Sequence, residues 1–333
     1  MNFLEFTDFR QQLLAQPNPP FDAGETRVVT ALQHLRTPIN SLLLPKHAHR
    51  CHLAEFWLDY SGLPASFKAQ TLISKGVRHS LGLLFDIWAK AGINVLIPKD
   101  VYPVYGSIAR AANLHHSEYP SMPTSAWPDL TTVDVILVTN PAKPRGTSLD
   151  AREFSTITEW LKDGGHRRVV IDAVYNLDSK LDSATLQLME TGQAVVLHSL
   201  SKSWLRPQVF GVALIPASDI ELLTPLFRAA NVNPGDLCLA QALLTQDRQF
   251  PLKLLKELGG LQRKLEHRLF SKGYVPPLTS SSATYLFVVN EPAEKLLSRH
   301  RVLALPLSVF GSCEGGLSVV SSLPSVPILG QVN

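Results

Sequence analysis

The sequence predicts an α/β fold, in which helices cover both faces of a mostly parallel sheet. Three apolar runs support this prediction, at positions 133–138, 169–171 and 194–197. They are short, nearly continuous and rich in valine, isoleucine and leucine, as expected for strands that are buried on both faces. Amphipathic helical patterns alternate with strands, for example at positions 149–161. The composition agrees, because 45% of the 333 residues are apolar and can fill a sizeable core.

The N-terminal part of the chain gives two predictions. Apolar residues at loosely helical spacing predict a helix over positions 1–14, which ends before the sequence PNPP at 17–20. Positions 46–52 then read KHAHRCH, with three histidines and a cysteine. Neither helix nor strand geometry would aim all four side chains at one ion. We therefore predict a solvated loop or helix end there and no metal site.

The pattern at positions 71–92 predicts a strand and a helix, with Gly76 between them. After Gly76, apolar residues at helical spacing continue to Gly92, which is suited to end the helix. Gly76 would then lie at a helix N-terminus, where backbone N–H groups and the helix dipole favour an anion. The segment 76–79 is therefore a candidate phosphate site, and an ordinary capped helix is the alternative.

Polar side chains follow several of the predicted strands. Tyr102 and Tyr105 come after a strand that starts near position 93, Asn140 after 133–138, Asp172 and Tyr175 after 169–171, and Ser199, Ser201 and Lys202 after 194–197. The carboxyl ends of parallel strands meet at one edge of a sheet, where α/β proteins place their chemistry. We therefore expect these side chains to share one site.

The last third of the chain predicts a smaller domain. Helical patterns occupy positions 219–230, 237–245 and 251–272, and strand-like runs occupy 284–290 and 317–323. The helices are expected to cover the sheet and to lead into a second unit that contains the two strands.

Charge and cysteine content narrow the class of protein. Lysine plus arginine number 31 and aspartate plus glutamate 28, a balance too even to favour nucleic acid or a membrane surface as a partner. Cys51, Cys238 and Cys313 are few and widely spaced, so no disulfide framework is predicted. No apolar run has membrane-spanning length, and the charged N-terminus is unlike a secretory signal. We expect a globular, cytoplasmic protein with small-molecule partners.

Three motifs resemble those of one enzyme family. NPAKPRG at 140–146, DAVY at 172–175 and SLSK at 199–202 match, in order and approximate spacing, the patterns NPxNPxG, D-x-x-Y and S-x-S-K. These patterns are typical of the class I and II aminotransferase-like group of fold-type I pyridoxal-phosphate (PLP) enzymes. The resemblance implies the fold-type I PLP-dependent transferase fold: a mixed, mostly parallel seven-stranded sheet between helices, and a smaller C-terminal α+β domain. It also implies pyridoxal 5′-phosphate as the cofactor and a homodimer.

The resemblance further implies a division of the chain into three parts. Residues 1–45 would form an N-terminal arm and the start of the small domain, 46–230 the large PLP-binding domain, and 231–333 the small C-terminal domain. The arm is expected either to pack on its own domain or to cover the active site and grip a second subunit.

The motifs carry the family's roles onto particular residues. Lys202 matches the lysine that forms a Schiff base with the cofactor. Asp172 matches the carboxylate that keeps the pyridine nitrogen protonated, which makes the ring an electron sink. Asn140 and Tyr175 match the groups that hydrogen-bond the phenolic oxygen of the cofactor.

The remaining family roles concern the ring face and the phosphate. Tyr102 matches the aromatic residue that stacks on the pyridine ring, and Tyr105 is the alternative. The phosphate is expected at Gly76, Val77, Arg78, Ser199 and Ser201.

The sequence departs from the family pattern at three places. The arginine that usually holds the phosphate is missing after the lysine, and Arg206 or Arg78 is expected to replace it. Ser318 stands where many members have an arginine that clamps the substrate carboxylate. Lys143 and Arg145 stand within the first motif, where we expect them to tune the loop.

These observations lead to a functional hypothesis. The resemblance implies an enzyme that acts on an amine or amino-acid-like substrate through an aldimine on Lys202 and a quinonoid, most simply an aminotransferase of specialised biosynthesis. Because the carboxylate clamp is missing at Ser318, a decarboxylase, lyase or cyclase is the first alternative. A non-catalytic partner subunit of the same fold is the second.

Overall fold

The computed structural model describes residues 1–101, 103–207, 210–274, 285–312 and 315–326. These residues form twelve strands and twelve α-helices, with five short 3-10 turns. The strands are β1 (Phe21–Asp22), β2 (Thr71–Ser74), β3 (Val95–Pro98), β4 (His116–Tyr119), β5 (Val135–Thr139), β6 (Arg168–Asp172), β7 (Ala194–Ser199), β8 (Gly211–Leu214), β9 (Leu286–Val289), β10 (Val302–Leu303), β11 (Leu305–Pro306) and β12 (Ser318–Ser321). The helices are α1 (Phe3–Leu14), α2 (Val28–Ala31), α3 (Arg50–Ser61), α4 (Val77–Ala91), α5 (Tyr105–Ala111), α6 (Ala151–Lys162), α7 (Ser183–Glu190), α8 (Leu200–Ser203), α9 (Ile220–Ala229), α10 (Pro234–Gln246), α11 (Phe250–Phe270) and α12 (Ala293–His300).

A seven-stranded mixed sheet forms the centre of the molecule. Its strand order is β2-β8-β7-β6-β5-β3-β4. Strand β8 is antiparallel to both of its neighbours, and the other pairings are parallel. This arrangement confirms the predicted fold class, a mixed and mostly parallel sheet between helices.

Both faces of the sheet are buried, as the apolar strands predict. Along β5, Ile136 and Val138 pack into one hydrophobic cluster, and Val135 and Leu137 pack into another. Alternate side chains of a strand point to opposite faces, so the two clusters lie on the two sides of the sheet. Continuous apolar runs are therefore required in these strands, because each position faces a core.

Helices α4 and α6 show why the predicted helices begin and end where they do. Helix α4 starts after Gly76 and ends at Gly92, whose left-handed backbone conformation (φ 70°) suits glycine. Asp150 caps the start of helix α6. Its side chain accepts a hydrogen bond from the Glu153 N–H, and the Glu153 carboxylate accepts one from the Asp150 N–H. This capping box satisfies N–H groups that have no partner within the helix.

Three neighbouring strands of the sheet end at the same edge. Strand β5 pairs with β6 and β6 with β7, all in parallel. Thr139 lies opposite Asp172, and Asp172 lies opposite Leu197. The polar residues that end or follow these strands are thereby brought together, as we expected from the sequence.

Two small sheets form beside the central one. Strands β11, β12 and β9 make an antiparallel sheet from the last third of the chain, and β1 pairs in parallel with β10. The N-terminal residues thus associate with the C-terminal part, in the way that the predicted start of a small domain requires. The domain boundaries themselves remain a prediction.

Helix α1 packs on its own chain. Phe6 is buried, and the Phe3 ring makes an edge contact with Phe310 at 6.0 Å between centroids. Of the two expectations for the arm, packing on its own domain agrees with these contacts. Across the ranges that the structure describes, no helix combines the length and the hydrophobicity that a membrane span needs.

Candidate active site

Asp172 ends strand β6 as a buried, fixed carboxylate. One of its oxygens accepts a hydrogen bond from the Tyr105 hydroxyl at 2.7 Å, and the other accepts one from the Val174 N–H at 3.0 Å. Burial raises the pKa of Asp172 to about 6, although both hydrogen bonds act in the opposite direction. Each carboxylate oxygen can accept a further hydrogen bond, so the group can still hold a cationic N–H.

Lys202 lies in the short helix that follows strand β7. Ser199 ends the strand, and its hydroxyl lies 3.0 Å from the Ser201 hydroxyl and accepts a hydrogen bond from the Ser201 N–H at 3.2 Å. Burial lowers the pKa of the half-buried Lys202, and the charge of Arg78 lowers it further. A lysine whose pKa is lowered is more often neutral and nucleophilic near pH 7.

Gly76 and Gly211 bring the start of α4 against this turn. A Cβ atom on Gly211 would lie only 2.5 Å from the Gly76 Cα, so the two backbones approach as closely as only glycine allows. A Cβ atom on Gly76 would lie 3.8 Å from the Ser199 hydroxyl. Within the described part of the chain, no side chain caps the N-terminus of α4. Its first N–H groups, at Val77 and Arg78, therefore lie beside a serine-lined turn, which suits a phosphate.

Lys143 is a second lysine at this edge of the sheet. Its amino group is buried and has no hydrogen-bond acceptor among the described residues. It lies 3.0 Å from the ring centroid of Tyr285 and 4.0 Å from that of Tyr175. Burial lowers its pKa well below the ordinary value, and the charge of Lys202 adds to this effect. The sequence analysis expected Lys143 to tune the loop, but its side chain reaches the site.

Interactions among three tyrosines connect Asp172 with the two lysines of the site. The rings of Tyr175 and Tyr285 meet edge to face with centroids 6.1 Å apart, and their side chains share a hydrogen bond. Electrostatic interaction also couples Tyr175 to Tyr105, which holds Asp172. Hydrogen bonds, ring contacts and electrostatic interactions thus link Asp172, through the tyrosines, with Lys143 and Lys202.

The structure gives Asn140 a different role from the expected one. Its amide nitrogen donates to Asp182 at 2.6 Å and to Thr185 at 2.9 Å, while its oxygen accepts from the Leu149 N–H at 3.1 Å. Both amide hydrogens are used in these bonds, so they are not available for a phenolic oxygen. Asn140 instead joins the loop after β5 to the start of α7.

Three other expectations concern arginines and aromatic residues. The Arg206 guanidinium donates to the Thr37 carbonyl, whereas Arg78 lies at the start of α4 and acts electrostatically on Lys202. Of the two arginines, Arg78 is therefore better placed to contact an anion at the N-terminus of α4. Tyr102 lies outside the described residues. Its alternative, Tyr105, binds Asp172 through its hydroxyl.

The two remaining departures from the family pattern have structural explanations. Arg145 is buried in an ion pair with Glu153 and also donates to the Ser121 carbonyl at 3.3 Å, so it holds the loop as expected. Ser318 is fully buried, and its hydroxyl donates to the Glu291 carbonyl at 2.6 Å. The small hydroxyl fills a place in the β12–β9 pair and offers no cation for a carboxylate.

Comparison with known proteins decides the family. A family model for class I and II aminotransferases matches residues 11–321, which is most of the chain. The chain belongs to this family. Pyridoxal 5′-phosphate is the cofactor of these enzymes, and the fold described above is the fold-type I architecture.

Solved structures of the same fold come from several bacteria. YbdL of Escherichia coli, reported to have a methionine aminotransferase function, has a TM-score of 0.70 at 17% identity, over 98% of this chain and 94% of that one. A putative aminotransferase from Silicibacter pomeroyi has a TM-score of 0.70 at 18% identity, over 97% of this chain and 92% of that one. A putative PLP-dependent β-cystathionase from Corynebacterium diphtheriae has a TM-score of 0.67 at 17% identity, over 98% of this chain and 95% of that one. No curated protein sequence matches significantly. At these identities the structures support the fold and not a substrate.

The residues of this chain fit the cofactor. Asp172 and Lys202 lie at the same edge of the sheet but do not form an ion pair with each other in the described part of the chain. The carboxylate is buried, the lysine has a lowered pKa, and the two do not pair with each other. They are therefore suited to contact opposite ends of a ring that lies between them. The glycine-lined start of α4, with Ser199 and Ser201 beside it, suits the phosphate of the same molecule.

Sequence reasoning missed Lys143 and Tyr285 as site residues. The signal for Lys143 was present, because a lysine replaces the second asparagine of the NPxNPxG pattern. Tyr285 lies just before β9 and 83 positions after Lys202, the last residue of the third motif, and nothing in its local sequence indicates the contact.

Proposed function

We propose that this protein is a PLP-dependent enzyme that acts on the amino group of a small amine or amino-acid-like substrate, most simply as an aminotransferase. The family match over residues 11–321 supports this proposal. The observation that carries it is the convergence of Asp172, Tyr175 and Lys202 at adjacent strand ends. When bound, the cofactor supplies a ring that accepts electrons from the substrate carbon.

The protein residues would bind and orient the cofactor and move one proton. Lys202 Nζ is the tethering amine and, once released, the base that takes a proton from the substrate carbon, because its lowered pKa permits a neutral amine. Asp172 would keep the ring nitrogen protonated, because a nearby carboxylate stabilises the cation. Burial of both groups excludes water and strengthens these interactions.

A second candidate function has support from Ser318. An arginine at this position would clamp a substrate carboxylate with two parallel hydrogen bonds, and the buried serine cannot. A substrate without a clamped carboxylate would be free to undergo decarboxylation, elimination or cyclisation at the same site. A non-catalytic role as a partner subunit is the third candidate, and the lowered pKa of Lys202 argues against it.

A spectroscopic titration tests the proposed function. Purified protein mixed with PLP should develop a visible absorption band, and borohydride should fix the cofactor to Lys202, as peptide mapping by mass spectrometry would show. Lys202→Ala should abolish the fixed adduct at this position, whereas Lys180→Met, which changes an exposed lysine, should leave it intact. Absence of any adduct in the wild type would contradict the proposal.

A panel of amines then separates the candidate reactions. For an aminotransferase, simple α-amino acids should convert the cofactor to its amine form, with the matching keto acid as product. Release of carbon dioxide or of an unsaturated fragment would instead support the decarboxylase or lyase. We also propose a homodimer, as the family resemblance implies, and sedimentation at several protein concentrations would test it.

A further inference from the structure

The family pattern assigns no role in the site to the side chain at Lys143. Its amino group is buried, and no oxygen of the described residues accepts a hydrogen bond from it. The rings of Tyr175 and Tyr285 lie against this amino group. Aromatic faces attract a cation but do not replace a hydrogen-bond acceptor. A buried donor without an acceptor is costly, and such groups in native proteins usually serve a ligand or a reaction.

The position of Lys143 defines which part of the cofactor it can reach. In PLP the phenolic oxygen is bonded to the ring carbon next to the one that carries the aldehyde. Tyr175 matches the family tyrosine that hydrogen-bonds this oxygen, so a group close both to the tethering amine and to Tyr175 would lie at the phenolic edge of the ring. Lys143 meets both conditions, because it contacts the Tyr175 ring and feels the charge of Lys202.

Asn140, the residue expected to serve this oxygen, is engaged elsewhere. Its two amide hydrogens bind Asp182 and Thr185, and its oxygen binds the Leu149 N–H. Releasing it would break three hydrogen bonds within the loop and at the start of α7. The loop after β5 thus offers Lys143, and not Asn140, to the site.

We propose that Lys143 Nζ is the hydrogen-bond donor to the phenolic oxygen of the bound cofactor, in the place predicted for Asn140. This inference rests on the proposed function, since it requires that PLP binds at this edge of the sheet. A phenolate is an anion, and an ammonium beside it forms a charge-assisted hydrogen bond that a carboxamide cannot match. The pairing also offsets the burial of the lysine, because the anion restores the protonated form.

Two analogues of the cofactor test the proposal without catalysis. The first is 4′-deoxypyridoxine 5′-phosphate, which has no aldehyde and cannot react with either lysine. The second is its 3-O-methyl ether, which keeps the phosphate and ring nitrogen but has no phenolate. Calorimetry on the apoprotein should show that the wild type prefers the first analogue by about tenfold or more, as expected for a hydrogen bond to a charged group.

Variants of Lys143 and of a control lysine complete the experiment. Lys143→Met should lose most of this preference, with any remainder coming from the Tyr175 hydroxyl, and Lys143→Asn, which restores a neutral donor, should recover part of the preference. Lys180→Met removes an exposed lysine and should keep all of it. Thermal unfolding of the apoproteins should show Lys143→Met to be at least as stable as the wild type, because it removes a buried amine.

The possible results lead to separate conclusions. A full preference for the phenolic analogue in Lys143→Met would overturn the inference and leave the proposed function standing. The inference would also be wrong if Lys143→Met kept this preference but no longer distinguished α-amino acids from amines without a carboxylate, because Lys143 would then bind the substrate. A borohydride-fixed adduct on Lys143 in the wild type would equally exclude it as the donor. Failure of the wild type to bind either analogue would overturn both proposals.

Discussion

At the scale of single residues, Asp172 shows a conflict between stability and function. A carboxylate is needed to hold a positive ring nitrogen, but burial disfavours its ionised form and raises its pKa from 3.8 to about 6. Because the pKa is higher in the folded protein than in the unfolded chain, this contribution to stability is present at low pH. It is lost as the pH rises through about 6. The ionised acid therefore weakens the apoprotein under the conditions in which the enzyme would work.

We predict that Asp172→Asn stabilises the apoprotein near neutral pH. A shift of two pKa units corresponds to about 3 kcal/mol, which is the upper bound for the gain in unfolding free energy above about pH 7. The gain should shrink as the pH falls towards 4, where the wild-type acid is also neutral. Urea unfolding of both apoproteins at several pH values measures the difference.

The same variant should lose affinity for PLP, because an amide does not stabilise a protonated ring nitrogen. Equilibrium binding of 4′-deoxypyridoxine 5′-phosphate would show this loss. An apoprotein that is destabilised by the substitution at every pH would contradict our account of the Asp172 environment.

At the scale of secondary structure, the contact between Gly76 and Gly211 positions the phosphate site. It fixes the start of α4 against the first residue of β8, next to Ser199. A methyl group at Gly211 would collide with backbone atoms, which cannot move without shifting either the helix or the strand. The close approach therefore depends on two residues that are distant in sequence.

We predict that Gly211→Ala lowers the unfolding free energy by about 1–3 kcal/mol, which is typical of overpacking. It should weaken the binding of inorganic phosphate and of PLP together, because the helix start is displaced. Gly82→Ala is the matched control, since a Cβ atom there meets nothing within 4 Å. As a mid-helix glycine, Gly82 should gain up to about 1 kcal/mol on substitution, with unchanged binding. Equal effects in the two variants would show that the glycine contact has no special role.

Several secondary-structure elements could be predicted from the sequence because their patterns are local. The buried strands β5, β6 and β7 read as apolar runs, and α4 and α6 as amphipathic helices with clear ends. Strands β1, β10 and β11 could not be predicted, because two residues give no periodicity. Strand β4, with the sequence HSEY, is polar and half exposed because it lies at the edge of the sheet.

The site was predictable only in part, for a related reason. Strand ends place Asp172, Tyr175 and Lys202 at one edge, and this follows from the parallel sheet. The side-chain directions of Asn140 and Lys143 depend on partners such as Asp182, which lies 42 positions further along the chain. No local pattern reveals such partners, so the directions of these two side chains could not be predicted from the sequence.

At the scale of the whole molecule, a buried ion network holds the chain ends together. Arg10 of α1 pairs with Asp22 and with Glu25, and Asp22 also accepts a hydrogen bond from Ser325 at 2.6 Å. Burial would raise the pKa of Asp22, but the hydrogen bonds from Arg10 and Ser325 outweigh it and lower the pKa. The network thus links the first helix, the first strand and residues near the C-terminus.

We predict that Arg10→Met costs about 3–5 kcal/mol of unfolding free energy, because it leaves the buried Asp22 carboxylate without a cation. The Glu25 carboxylate keeps its ion pair with Arg27. Since the pKa of Asp22 and of Glu25 is lowered in the folded state, the wild type should lose this contribution as the pH falls below about 4. Denaturant titrations at neutral and acidic pH measure both effects.

Lys90→Met is the control for this prediction. Lys90 forms an exposed ion pair with Asp86 on the surface of α4, so its loss should change the free energy by less than about 1 kcal/mol. If Arg10→Met had an effect as small as this, the network would not be what joins the two ends.

The pairing of β1 with β10 also bears on biosynthesis of the protein. Phe21 leaves the ribosome long before its partner Val302 is translated. During most of translation the first strand therefore has no edge to join, and only local structure such as α1 can form around it. The central sheet can assemble while the nascent chain is still growing, but the N-terminal segment must wait until β10 has left the ribosome before it can dock.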